Sequence, residues 1–401
     1  MKNSKEKKSS SDLIGTELEV RVDKLAVGGW GLGRVESLSG IVCFIPDAAP
    51  GDFLKIKVTE AHKNHLFAEV IQILETGPER RTPPCPKATE CGGCDWQHLT
   101  DSFQLQQKEI LLQETLNKFL SEQIKSVNPI RKSPKNFNYR SRIQPKIVEG
   151  EIGFYAKRSH QLVPISECLI AEPPLNALFS QIKTQNQKNR SATLESPLKF
   201  EFYLDEQEQA KCRNLEEESD EDLGFSQVNR LQNKELIEWI LQIIENQNFT
   251  QIYDLYAGSG NFTFPISDKF KKTKIFAVEK HSTLAQRGRD LAQRKPIEFI
   301  NSSIELFIKR HAIADGSLVL LDPPRGGAEA LLMKSLAHAR PQKILYISCN
   351  PVTMARDLKV YFDELKLNTK NDSTYHIRSI QPFEMFPQTS HMETIIEISP
   401  D

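Results

Sequence analysis

Residues 252–263, Ile252-Tyr-Asp-Leu-Tyr-Ala-Gly-Ser-Gly-Asn-Phe-Thr263, decide the fold of this chain. The apolar run reads as a strand ending at Tyr256, and Gly258 and Gly260 let the backbone turn tightly against a ligand before a helix. Thr263 stands where the third Gly or Ala of a dinucleotide fingerprint would fall, so that fingerprint is not matched. Glu279 ends the next strand-like run, 25 residues after Asp254. A carboxylate there can accept hydrogen bonds from both hydroxyls of a ribose. An ordinary strand–turn–helix without a ligand fits the same residues.

Outward from this stretch, Lys274–Glu279, Leu318–Asp322 and Lys343–Ser348 are strand-like and alternate with helical segments. That alternation predicts a parallel, doubly wound sheet. His376–Pro382 and Thr394–Ser399 add an antiparallel edge, and Leu236, Ile240 and Ile244 mark a helix before the sheet. Upstream, residues 127–205 read as β-rich and irregular, with strands near Tyr139–Val148 and Lys199–Leu204. A helix opens near Thr100–Asp101, with Leu105, Leu112, Leu116 and Phe119 on one face. Before it, Glu17–Val22, Ile41–Ile45, Phe53–Val58 and His65–Leu74 read as short strands, with Gly28–Gly33 as a turn cluster. Five or so strands in such a span predict a small closed barrel, because closure removes exposed edges.

The chain has 401 residues, 39% hydrophobic and 26% charged, which suits a globular protein of several domains. No run approaches the ~18 apolar residues of a membrane span, and the basic, Ser-rich start MKNSKEKKSSSD reads as a solvated tail with no secretory signal. Seven unevenly spaced cysteines argue for a reducing cytoplasm with metal-binding or catalytic thiols. A net charge of −1 hides a segregation: residues 124–160 carry nine Lys/Arg against two Glu, and residues 201–222 carry ten Asp/Glu against two Lys/Arg. Overall neutrality therefore does not exclude a polyanionic partner. The acidic run reads as a surface insertion.

Three further constellations carry chemistry. Asp322-Pro-Pro-Arg fixes a rigid turn after a strand. Cys349 follows the buried run Lys343–Ser348, at the rim where ligands of an α/β sheet bind, and Asn-Pro after it favours an exposed turn. A thiolate is a good nucleophile for an electron-poor double bond such as carbon 6 of uracil. Cys85-x5-Cys91-x2-Cys94, with Cys168 far along the chain, supplies four thiols. Zinc and a 4Fe–4S cluster both satisfy that ligand count. Cys43 reads as a barrel-core residue and Cys212 as an acidic-loop residue. In Arg131-Lys-Ser-Pro-Lys-Asn-Phe-Asn-Tyr-Arg-Ser-Arg142, cations suit phosphates, and Phe137 and Tyr139 suit an unpaired base. A basic strand pair with its aromatics turned inward fits that segment equally well.

Several of these stretches resemble known families. Residues 22–52, VDKLAVGGWGLGRVESLSGIVCFIPDAAPGD, resemble the TRAM domain, an oligonucleotide-binding-type barrel of RNA-modifying enzymes, although an unrelated barrel fits the same strands. The Gly-rich stretch resembles the first motif of class I methyltransferases, which bind S-adenosylmethionine. Asp322-Pro-Pro alone also resembles the motif of amino-group methyltransferases. YISCNPVTMARDL (346–358) resembles the nucleophile motif of the RNA uracil-5-methyltransferases. FSQVN (225–229), DLYAGSGNFT (254–263), LDPPRGG (321–327) and FPQTSHMETI (386–395) follow that family's order and approximate spacing.

This resemblance implies an S-adenosylmethionine-dependent enzyme that methylates carbon 5 of a uridine in structured RNA, ribosomal in preference to transfer RNA, through a covalent adduct. It makes Cys349 the nucleophile and Glu393 the general base. It places Gln227, Tyr256, Asn261, Glu279 and Asp322 at the cofactor; Ser303 stands where some members carry Asn. A cluster-bearing branch with the same cysteine spacing favours 4Fe–4S over zinc on Cys85, Cys91, Cys94 and Cys168.

The expected architecture is α/β with an all-β N-terminal domain. Residues 1–76 form a tail and OB-like TRAM barrel, 77–225 a β-rich iron–sulfur and RNA-binding domain, and 226–401 a Rossmann-like methyltransferase domain. The helix at 101–119 is free to pack on the last of these. The partner is RNA, presented as a single-stranded loop with its uridine flipped out. The protein is expected to be a cytoplasmic monomer without membrane contact. Two other classes stay open: an amino-group nucleic-acid methyltransferase, and a non-catalytic RNA-binding module.

Overall fold

The computed structural model describes residues 10–188, 198–205, 207–215, 227–367 and 374–401. Most of the basic tail, part of the acidic run, and Phe225 and Ser226 lie outside the described residues. The chain divides into two compact units: residues 1–111, 153–165 and 388–390, and residues 112–152, 166–387 and 391–401.

In the first unit, β1 (Glu17–Ala26), β2 (Trp30–Val35), β3 (Ile41–Ile45), β4 (Phe53–Ala61) and β5 (His65–Glu75) close into a barrel in the order β1-β2-β3-β5-β4. Alternate residues point inward, and Val20, Val22, Cys43, Ile45, Leu54, Ile56 and Leu66 fill the interior. The glycine cluster is only half a turn. Gly28 and Gly29 hold the turn at φ +90° and +85°, whereas Gly31 and Gly33 lie within β2. A Cβ on Gly33 would sit 2.3 Å from the Arg21 carbonyl oxygen, so the close approach of β1 selects glycine in mid-strand. Below the barrel, Asp52 is fully buried and accepts from the Ala49 N–H (2.6 Å), the Gly77 N–H (2.8 Å) and the Arg80 guanidinium (2.6 and 3.0 Å). The Cys/Pro/Gly loop after residue 77 is anchored by Trp96, which packs with Leu25, Ala49, Leu99 and Leu111 and donates to the Gly29 carbonyl at 3.2 Å.

Helix α1 (Asp101–Leu120) contains the division between the units. β6 (Arg142–Ile143), β7 (Lys146–Val148), β8 (Glu151–Tyr155) and β9 (Leu162–Pro164) follow, then α2 (Pro173–Lys188), β10 (Leu198–Leu204) and β11 (Ala210–Asn214). β8 and β9 form a hairpin in the first unit, and β10 pairs with β6, β7 and β11 in the second.

Three expectations need correction here. The segment read as β-rich and irregular contains the helix α2, whose Leu175 and Phe179 are buried with Phe202 beside them. Part of the acidic run is sheet: Glu201 is fully buried on β10 and bonds to Arg213, with Arg142 at 3.5 Å. Cys212 likewise sits on β11, opposite Phe202.

The large sheet of the second unit comprises β12 (Ile252–Leu255), β13 (Ile275–Glu279), β14 (Ile297–Asn301), β15 (Leu318–Leu321), β16 (Lys343–Ser348), β17 (Tyr375–Phe383) and β18 (Glu393–Pro400). Their order is β14-β13-β12-β15-β16-β18-β17, with β12 to β16 parallel and β18 antiparallel to both its neighbours. Helices alternate with the strands: α3 (Arg230–Ile243), α4 (Thr263–Lys269), α5 (Ser282–Leu291), α6 (Ile304–Arg310), α7 (Ala330–Ala339) and α8 (Pro351–Leu367). One apolar layer joins Leu112, Leu116 and Leu120 of α1 with α6, α7 and α8. The other joins α3 and α4. β15 and β16 are buried throughout, as continuous apolar runs covered on both faces require. Among the described residues, no helix is long and apolar enough to cross a membrane.

Candidate active site

The carboxyl ends of β12, β15 and β16 lie side by side, and register sets what they present. Asp254 pairs across to Leu320, and Leu321 to Tyr346. Asp322 and Cys349 therefore follow the last residues of neighbouring strands. β18 runs the opposite way, with Thr394 opposite Ser348, so its first residue, Glu393, arrives at the same rim. Asp254, Asp322, Cys349 and Glu393 thus converge from four strands, although 139 residues separate the first from the last.

Their electrostatics are those of acids crowded away from water. Burial pushes Asp254 up to about 6, with Glu279 adding to the rise and the Thr263 hydroxyl opposing it. Burial and the charge of Asp254 push Asp322 up to about 7. Glu393, 3% exposed, is held well above the usual carboxylate range by burial and then by Asp322. Burial, with Glu393 and Asp322 beside it, raises the Cys349 thiol to about 11. Arg325 opposes these shifts: its positive charge favours the ionised forms of Cys349 and Glu393 and lowers the pKa of both. Arg325 stands inside the Asp-Pro-Pro-Arg motif, where sequence alone gives it no role. Its place after two prolines was visible; the direction of its side chain was not.

The loop carrying Arg325 is tightly held. Asn350 Nδ2 donates to the Arg325 carbonyl at 3.0 Å, and Asp357, buried on α8, accepts from the Ala328 N–H and the Tyr346 hydroxyl, both at 2.7 Å. Gly327 adopts φ +87°, and a Cβ there would meet the Asp357 carboxylate at 2.3 Å. Only glycine fits that turn without displacing its anchor.

A cofactor cradle lies at the adjacent turn. Gly258 and Gly260 adopt φ +56° and +104°. A Cβ on Gly258 would enter open space, whereas one on Gly260 would strike the Phe264 ring at 2.5 Å. Glu279 accepts from the Gly258 N–H (3.0 Å) and the His281 N–H (2.7 Å), which fixes its carboxylate at the end of β13. One Asp254 oxygen is buried with no partner among the described residues, an unmet acceptor beside the cradle. An open glycine turn, an aimed carboxylate and an orphaned acceptor fit S-adenosylmethionine.

The other expected contacts are more committed to the protein. Tyr256, at φ +70°, donates its hydroxyl to Glu329. Asn261 pairs reciprocally with Asn233 at 2.9 and 3.1 Å. Gln227 is buried, 7% exposed, beside Val228. Ser303 caps α6, its hydroxyl accepting the Leu306 N–H at 3.2 Å. In the basic segment, Tyr139 is buried and donates to the Pro387 carbonyl at 3.0 Å, so it serves packing and not base stacking. Phe137 is half-buried, and Arg131, Lys132 and Lys135 are exposed.

Among the described residues, no three His, Cys, Asp or Glu side chains are grouped to hold a metal ion, and no cysteine forms a disulfide. Cys85, Cys91 and Cys94 lie in the first unit and Cys168 in the second. The Cys91 sulfur accepts the Gly93 N–H at 3.4 Å, so a hydrogen bond closes the Cys-Gly-Gly-Cys turn. Burial raises the Cys91 thiol, with Cys85 adding a smaller effect of the same sign.

A family model described as tRNA (Uracil-5-)-methyltransferase matches residues 198–399, and a TRAM domain model matches residues 12–71. The chain is 41% identical over 399 residues to an uncharacterized RNA methyltransferase of Bdellovibrio bacteriovorus, covering 99% of each. It is 29% identical over 435 residues to a 23S rRNA (uracil(1939)-C(5))-methyltransferase of Mannheimia succiniciproducens, covering 94% of this chain and 95% of that protein. Its fold is similar to that of the Pyrococcus abyssi tRNA (uracil-54, C5)-methyltransferase solved with S-adenosyl-L-homocysteine, with a TM-score of 0.72 and 21% identity over 95% of this chain and 100% of that one.

Proposed function

The chain belongs to the RNA uracil-5-methyltransferase family, with an N-terminal TRAM domain, and on that premise we propose that it methylates a uridine of 23S ribosomal RNA through a covalent adduct on Cys349. It is an S-adenosylmethionine-dependent RNA uracil-5-methyltransferase. The observation that carries the covalent mechanism is the juxtaposition of Cys349, Arg325 and Glu393 at one sheet rim. An amino-group methyltransferase has no use for a thiol, its arginine and a buried carboxylate in that arrangement. The ribosomal target rests on the relative from Mannheimia succiniciproducens.

The residue types explain one another. S-adenosylmethionine, when bound, supplies an electrophilic methyl group from its sulfonium. Carbon 5 of uracil is too weak a nucleophile to accept it unaided. Arg325 N–H groups favour the thiolate of Cys349, whose sulfur attacks carbon 6 and sends electron density to carbon 5. After methyl transfer, carbon 5 bears both a methyl and a hydrogen. Glu393 removes that proton, the double bond re-forms and the sulfur–carbon bond breaks. Asp322, between the cofactor turn and the thiol, positions uracil or cofactor. Gln227, Tyr256, Asn261 and Glu279 line the cofactor, with Glu279 on the ribose hydroxyls.

The substrate uridine is flipped from a single-stranded loop, and the protein acts as a cytoplasmic monomer with its chain divided at 1–76, 77–225 and 226–401. Cys85, Cys91, Cys94 and Cys168 bind a 4Fe–4S cluster, with zinc as the alternative; the spacing of the thiols supports this. Anaerobic purification tests it by four irons per chain against one zinc.

Two experiments test the catalytic reading. Ribosomal RNA from a strain lacking the protein should lose one 5-methyluridine, restored by the intact gene. RNA containing 5-fluorouridine should trap a methylated covalent complex, because a fluorine at carbon 5 cannot be removed as a proton.

A further inference from the structure

The loop that carries Arg325 is gripped by one face of the helix that follows Cys349. α8 starts at Pro351, two residues past the thiol, and the Asn350 side chain accepts the Val352 N–H at 3.1 Å to open it. Asn350 and Thr353 reach the Arg325 carbonyl at 3.0 and 3.3 Å. One turn further on, the Arg356 guanidinium donates to the Gly326 carbonyl at 2.8 Å, and the Asp357 carboxylate accepts the Ala328 N–H at 2.7 Å. Residues 353, 356 and 357 share a face because they are three and four apart. Gly327, whose N–H donates to the Pro324 carbonyl at 2.8 Å, lies against all three. A Cβ there would fall 2.3 Å from Asp357, 2.6 Å from Arg356 and 3.0 Å from Thr353.

Asp357 stands at the centre of this grip. It is 3% exposed, and beyond the Ala328 N–H it accepts the Tyr346 hydroxyl at 2.7 Å and the Arg356 Nε at 2.8 Å. Burial and the Asp357 charge push the Tyr346 pKa up, which keeps that hydroxyl a donor. Tyr346 belongs to β16, the strand that ends one residue before Cys349. The carboxylate therefore ties together the strand before the thiol, the helix after it and the loop of its arginine. The charged groups that act on the thiol are Glu393 from β18 and Asp322 from the end of β15, which disfavour its ionised form, and Arg325, which favours it. Coulomb attraction falls with separation, so what Arg325 contributes depends on where its guanidinium is held. We propose that Asp357 is a positioning residue for the nucleophile: by fixing the 325–328 loop to α8 and β16 it holds the Arg325 guanidinium beside Cys349, and so sets the reactivity of a thiol it does not touch.

The proposal rests on Cys349 being the nucleophile, and its test is read on the thiol before any RNA or cofactor is added. The full-length protein should be alkylated with iodoacetamide across the pH range that spans the thiol's titration, with the Cys349 peptide followed by mass spectrometry. Asp357→Asn keeps the shape and loses the charge that pairs Arg356. It should raise the midpoint of alkylation by about one pH unit, slowing the reaction below that midpoint by about tenfold. The kcat for methyl transfer should fall by a similar factor, with KM for S-adenosylmethionine unchanged. Arg356→Gln, at a side chain half in solvent, should move the midpoint in the same direction by less, and it decides the matter should Asp357→Asn fail to fold. In an Arg325→Gln background, Asp357→Asn should add no further shift, because the group it positions is gone. An unmoved profile in folded Asp357→Asn protein, or in Arg356→Gln where that variant alone folds, overturns the proposal. So does a full shift in the Arg325→Gln background, which would make Asp357 a prop of the fold at large. The expected shift without any covalent complex on 5-fluorouridine RNA would leave Asp357 as the residue that tunes this thiol and remove Cys349 as the nucleophile.

Discussion

Asp52 in the first unit and the trio Asp254, Asp322 and Glu393 in the second are all carboxylates withdrawn from water, yet they are treated in opposite ways. Asp52 has both oxygens engaged, by two backbone N–H groups and the Arg80 guanidinium. Among the described residues Asp254 leaves one oxygen without a partner; its charge raises the proton affinity of Asp322, and that of Asp322 raises Glu393 in turn. A satisfied buried charge fixes a conformation; a frustrated one keeps free energy available for a ligand or a proton. The first arrangement ties the barrel to the loop that follows it. The second is the chemistry.

The contrast can be broken most sharply at the rim. Cys349→Ala should lower methyl transfer by about 10^4-fold or more, with S-adenosylmethionine affinity, read by calorimetry, near that of the parent. Comparable turnover would remove Cys349 as nucleophile. Glu393→Gln keeps the shape and loses the basic oxygen. With methyl-labelled cofactor it should accumulate a protein–RNA adduct carrying the label on a denaturing gel, and an adduct without label would place methyl transfer after the missing step.

Asp52→Ala should be inert in chemistry and costly in stability, by about 3–5 kcal/mol in urea unfolding, because it strands the Arg80 charge and two N–H donors. Little change would mean that the network is not structural. Asp322→Asn should do the reverse. A carboxyl whose folded-state pKa is raised to about 7 from an ordinary 3.8 takes up protons on folding between those values, so its stabilising contribution is lost as pH rises through that window. The variant should therefore melt higher than the parent near pH 7.5, with the gain vanishing near pH 4, while turnover falls. A lower melting point at both pH values would sink the assignment. Smallest is Ser303→Ala, which removes an α6 cap and should cost about 1 kcal/mol with KM for S-adenosylmethionine unmoved; a raised KM would return Ser303 to the cofactor.

What the chain reveals of itself follows from which interactions are local. The strands β12, β13, β15 and β16 were legible because each is an uninterrupted apolar run closed by a turn residue, and the cofactor turn because glycine has few other reasons to be there. The barrel was legible except at Gly31 and Gly33, whose requirement comes from a strand paired across the barrel and not from their neighbours in sequence. α2 was missed because the β-rich expectation for the whole segment outweighed one amphipathic stretch. The inward turn of Tyr139 and the aim of Arg325 depend on rotamers and distant partners, and a sequence carries neither.

Because β18 runs antiparallel between β16 and β17, Glu393 is registered against the strand preceding Cys349 by main-chain hydrogen bonds on both sides. The connection from β17 to β18 is held too: Met385 is buried, its carbonyl accepts from the Asn229 amide, and the Pro387 carbonyl accepts from the Tyr139 hydroxyl. A one-residue deletion inside β18 would turn every side chain to the opposite face and send the carboxylate away from the rim. Intolerance to a change of length therefore runs through the connection and the strand alike, and a scan of single-residue insertions and deletions through 384–400 should lose methyl transfer at both.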